Sequence, residues 1–77
     1  MKITKNQLTK ITNAFYYFGR EMLNWIINNW YSFLKGINID NSNIDKELLI
    51  HIANRYYLGD SINLILKSVN KKLEEKN

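Results

Sequence analysis

Ala14–Leu34 reads AFYYFGREMLNWIINNWYSFL, and it holds both tryptophans, all three phenylalanines and three of the five tyrosines of the 77-residue chain. Plotted at the helical period, its apolar and aromatic residues cover most of the circumference instead of one stripe. A helix apolar nearly all round is normally enclosed by other protein or by lipid. A chain this short has few segments left to enclose it. The mismatch predicts a partner, with a second copy of the same chain as the first candidate.

Working outward, the N-terminal side supplies a helix start. Thr4 and Gln7 have the spacing of a capping box, and Ile3 and Leu8 stand where a hydrophobic staple closes over it. From Leu8 a seam of Ile11, Phe15, Phe18, Met22 and Trp25 advances in steps of three and four, then drifts onto Ile26, Trp30, Phe33 and Ile37. Leu23, Ile27, Tyr31 and Leu34 form a second face. No proline interrupts the run, so one helix from about Gln7 to Lys35 is expected, about 43 Å long. Gly19 is its weak point and Asn28-Asn29 a softer one. Gly36 is expected to end it in the left-handed conformation.

On the C-terminal side the reading is simpler. Residues 37–43 form a loop rich in asparagine and aspartate. A second helix begins near Asp45, with Ile44, Leu48, Leu49, Ile52, Ala53 and Tyr56 as its apolar face. Gly59 stops it, and Asp60 or Ser61 caps a third, whose apolar face is Ile62, Ile65, Leu66, Val69 and Leu73. Glu74–Asn77 is expected to fray, because Glu74 and Glu75 sit at the negative end of the helix dipole. The predicted fold is therefore all-α: a single domain over 1–77, one long N-terminal helix packed against a helical hairpin, and an oligomer. Leu8, Phe15, Phe18, Met22, Ile26, Trp30 and Phe33 are the predicted core of the first helix. Tyr16, Arg20, Leu23, Ile27, Tyr31 and Leu34 are its predicted partner surface.

Several function classes lose support. There is no cysteine, which rules out disulfides and thiolate zinc sites. His51 is the single histidine, set among Leu48, Leu49, Ile50, Ile52 and Ala53, and reads as a packed or boundary residue. None of Ser32, Ser42, Ser61 and Ser68 has the local context that activates a hydroxyl. Asp40–Asp45 departs from a calcium loop, with isoleucine at its fifth position and no glycine at the sixth. The glycines are isolated, so no phosphate loop is present. No catalytic residue, cofactor, metal or small-molecule substrate is expected.

The mostly polar first thirteen residues do not resemble a secretory signal, and Arg20 and Glu21 inside the apolar stretch disfavour a membrane span. A cytoplasmic protein is expected. Two binding functions remain. The first is a non-enzymatic protein-binding module, an accessory subunit, regulator or inhibitor, working through the aromatic-rich helix and as a homodimer. The second is a nucleic-acid-binding regulator, favoured by the net charge of +4. In that case Tyr57–Ser61 is the turn of a helix-turn-helix, and Asn63, Lys67, Asn70 and Lys71 make the contacts.

Overall fold

A computed structural model describes residues 2–75. Among these it is wholly helical: α1 (Lys5–Phe18), a 3₁₀ turn (Arg20–Met22), α2 (Leu23–Asn28), α3 (Trp30–Gly36), α4 (Lys46–Tyr57) and α5 (Ile62–Glu75). The all-α expectation holds, but the single long helix does not. The longest dimension of the molecule is 32 Å, shorter than the roughly 43 Å that a continuous helix over that stretch requires. The chain folds back on itself at two places instead.

Gly19 makes the first break, at φ 78°, ψ 170°, a region open in practice only to glycine. Its N–H still donates to the Phe15 carbonyl, closing α1, and its own carbonyl accepts from Met22 to start the 3₁₀ turn. Asn29 makes the second. Both its backbone N–H and its side-chain Nδ2 donate to the Trp25 carbonyl, each at 2.9 Å. Such a side chain offers the backbone an alternative to continuing the helix.

The remaining ends follow local rules. Thr4 and Gln7 form the expected capping box. Asp45 caps α4 by accepting from the Leu48 amide at 2.8 Å, and Ser61 accepts from Leu64 at the start of α5. Gly59 ends α4 with φ 91°, and the amides of Gly59 and Asp60 donate back to Tyr56 and Arg55. This is the Schellman pattern, and an Arg55–Asp60 ion pair at 2.8 Å fastens it. At the end of α3 the same pattern appears two residues later than expected. Asn38, not Gly36, takes the left-handed conformation (φ 63°). The Asn38 and Ile39 amides donate to Lys35 and Leu34, and buried Ile39 and Leu34 supply the apolar clasp that usually accompanies it. The expected fraying at the C-terminus is absent as far as Glu75, which closes α5; Lys76 and Asn77 lie outside the described residues.

α4 is the hub, packing against each of the other four helices. Its Leu48, Leu49, Ile52 and Ala53 are all buried. Asn41 Nδ2 donates to Gln7 Oε1 beside the start of α1, and Phe15 meets Tyr56 and Tyr57 near its end. α1 and α4 therefore run parallel. α5 runs antiparallel to α1, because Asn70 near its end accepts from the Ile3 amide at 2.9 Å and donates to the Ile3 carbonyl at 3.3 Å.

Candidate functional site

The break at Gly19 decides which aromatic residues reach the surface. Upstream of it, Leu8, Ile11 and Phe15 are buried as the seam predicts. Downstream the predicted faces exchange places. Met22 (38% exposed), expected in the core, points outward, as does Trp25 (52%), which lies on the seam but outside the predicted core; Phe18 (46%), the last residue of α1 before the break, is likewise expected in the core and is exposed. Leu23 and Ile27, expected on the partner surface, pack against the core, and Leu34 is inside it at 4% exposure. The physical reason is phase: a glycine at φ 78° rotates the following segment about its axis, so a periodicity counted through it no longer marks one face. Ile26 and Phe33 stay inside, while Trp30 is half-buried.

Of the predicted contact residues, Tyr16 (82% exposed) and Tyr31 (59%) are outward-facing. Arg20 is exposed, but its guanidinium lies 4.8 Å from the centroid of the Tyr57 ring, whose other neighbour is the stacked ring of Phe15. Arg20 thus braces the turn against α4 through a cation–π contact. Burial pushes the Tyr57 phenol up, and the neighbouring Tyr56 adds to this while Arg20 opposes it. On either side of the break Tyr16, Tyr17, Phe18, Met22 and Trp25 are exposed, with Tyr17 and Phe18 in edge-to-face contact at 5.2 Å; we term these five the aromatic strip. Sequence reading missed Phe18 and Met22 as surface residues; for Met22 the signal available was a glycine inside the seam.

Tyr31 belongs to a different place. Together with Trp30, Lys35 and the loop residues Asp40–Ser42 it borders a cavity of about 290 Å³. Lys35 Nζ stands 5.2 Å from the centre of the Tyr31 ring.

The most chemically suggestive pair is His51 and Ser68, with Nε2 and Oγ 2.9 Å apart between α4 and α5. A hydroxyl on an imidazole is the beginning of a nucleophile–base arrangement. Here the charges that His51 feels are the cations Lys72 and Arg55, the opposite of the carboxylate that orients a catalytic imidazole. Ser68 also sits inside a helix, whose amides are committed to backbone carbonyls and leave no donors for an oxyanion. The pair reads as a stitch between two helices. It carries a pH prediction. Desolvation, then Lys72, then Arg55 hold the His51 pKa below its ordinary value of 6.5, so on acidification the unfolded chain takes up its proton first. Stability from this group is present above about pH 6.5 and is lost as pH falls through the lower folded value. Thermal midpoints measured from pH 7.5 to 5 should fall for the wild type and stay flatter for His51→Gln. Parallel profiles would show that His51 is not the titrating group.

The same pair ties α4 to α5 about 9 Å along each helix from their junction.

The predicted nucleic-acid residues do gather. Asn63, Lys67, Asn70 and Lys71 line one groove along α5, and the N-terminal segment brings Lys2 to its rim. Asn70 is already engaged with Ile3 at its own backbone. Among the described residues, no three acidic or histidine side chains converge as metal ligands, and no helix is long and apolar enough to cross a membrane. Comparison with protein-family models, with curated proteins and with solved structures yields no match.

Proposed function

We propose that this chain is a small protein-binding module, an accessory subunit, regulator or inhibitor, that acts by burying its aromatic strip against another protein surface, with a second copy of itself as the first such surface. One observation carries the reading: Tyr16, Tyr17, Phe18, Met22 and Trp25 stand exposed together around the Gly19 break. At about 200 Å² per large side chain, their exposures amount to roughly 600 Å², the upper end of the largest patch on an ordinary monomer. An interface of standard size buries about 800 Å² on each partner, so the strip supplies most of one side. Tyrosine and tryptophan suit this role, since they give large contact area at small conformational cost.

Sedimentation velocity across a concentration series tests the proposal. The wild type should move from monomer to dimer, and Phe18→Asp and Trp25→Asp should each abolish association while preserving the helical circular dichroism signal. Both side chains are half outside the core already, so the fold tolerates the change. A wild type that stays monomeric throughout, or aspartate variants that still dimerise, would overturn self-association through this strip.

A further inference from the structure

At the other end of α1 from the aromatic strip, the groove along α5 has a different chemistry. Lys67 and Lys71 lie one helical turn apart on its α5 wall, and both are exposed. Lys2 stands at the facing rim, and the Asn63 side chain adds amide donors. The volume is about 550 Å³, and half-buried Leu66 contributes an apolar patch to the lining. Lys2 is there because the two Asn70 hydrogen bonds clamp the adjoining Ile3 backbone onto α5. Asn70 is therefore a positioning residue, and the basic site exists only in the folded chain.

We propose that this groove binds the phosphate backbone of a single nucleic-acid strand. Three ammonium groups border it against one carboxylate, Glu74, which reaches Lys2 at 3.7 Å. That ion pair is exposed on both sides, and exposed pairs contribute little and yield readily to a competing anion. Lys67 and Lys71 are separated by about 6 Å along the helix axis, a step that suits successive phosphates of an extended strand. Leu66 offers an apolar surface to sugars and base faces. The groove is a channel that a single strand can follow, where affinity comes from phosphate contacts and tolerates any sequence.

Fluorescence anisotropy with a labelled, mixed-sequence single-stranded oligodeoxynucleotide, titrated with salt, provides the test. Three lysines neutralised on a single strand give a slope of log K against log salt near −2, so a fourfold rise in salt weakens binding roughly sixteenfold. Lys67→Ala with Lys71→Ala should weaken binding at least tenfold and flatten the slope, and the matching double arginine variant should restore both. Glu74→Gln should tighten binding several-fold, because it frees Lys2 and removes the opposing charge. Circular dichroism on each variant confirms that these exposed positions leave the fold intact. The proposal is overturned by no binding of the wild type at low salt, or by a lysine double variant that binds as tightly. Weakening by Glu74→Gln also overturns it. So does equal competition from polyglutamate at matched charge, which would assign the groove to an acidic polypeptide.

Discussion

Phe15→Ala is expected to destabilise the fold by about 3–5 kcal/mol. Phe15 is 1% exposed, and it joins three helices through its ring alone. It stacks on Phe33 of α3 with ring centres 6.3 Å apart and planes 6° from parallel. It meets Tyr56 of α4 at 5.8 Å and Tyr57 at 6.3 Å. Truncating a buried phenylalanine costs about 3–5 kcal/mol, because the cavity it leaves closes only partly. A domain of this length has about 4–12 kcal/mol in total. The loss therefore takes at least about a quarter of the stability and all of it at the low end of that range, and the α1 neighbours Ile11 and Leu8 lie too far along the helix to fill the space. Far-ultraviolet circular dichroism with urea titration gives the readout. Phe15→Leu, which retains apolar volume, should cost only about 1–2 kcal/mol. If Phe15→Ala keeps a midpoint close to the wild type, the aromatic cluster is not the centre of the core.

Gly19 and Gly36 are expected to respond to alanine with opposite signs. Both are glycines within one apolar stretch, and a Cβ built at either meets nothing within 4 Å. Sterics with neighbours therefore decide nothing, and the backbone decides everything. At Gly19 the φ of 78° with an extended ψ is a conformation that costs a residue bearing a Cβ about 1–3 kcal/mol. Gly36 lies in the last turn of α3 without a positive φ, where alanine gains about 0.5–1 kcal/mol. Urea midpoints for the two variants should move apart around the wild type. Gly19→Ala should also weaken self-association, since the break sets how Met22 and Trp25 stand relative to the exposed end of α1. A stabilising Gly19→Ala would mean that the chain prefers to run straight there, and both the fold and the aromatic strip would need revision.

These two glycines also show where the sequence was legible and where it was not. Features set by a few neighbouring residues were readable: the Thr4–Gln7 box, the Asp45 cap, the stop at Gly59, and the inward faces of α4 and α5. Each depends on a hydrogen bond or a period that closes within one or two turns. The exchange of faces after Gly19 was not readable, because a glycine announces freedom without announcing the angle it adopts. Nor was the turn after α3, where Asn38 takes the left-handed role that Gly36 would have filled two residues earlier. The basic groove was half legible. Asn63, Lys67 and Lys71 share a helix face by spacing alone, whereas Lys2 joins them only through the Ile3–Asn70 clamp, 67 residues apart in the chain. Met22 was misplaced by a rotation of the frame in which it was counted, whereas Phe18 lies in α1 before the glycine and was misplaced within its own helix.

The clamp between Ile3 and Asn70 also sets how the molecule answers force. Because α1 and α5 run antiparallel with these residues at one end, a load applied at Lys2 and Glu75 falls on that end. The Lys2–Glu74 ion pair and the clamp then share that load, and the two ends of the chain should peel apart contact by contact. A load between Lys2 and Tyr57 instead runs along the parallel helices α1 and α4. The Phe15 aromatic cluster then has to slide as a unit, and the same core becomes mechanically strong.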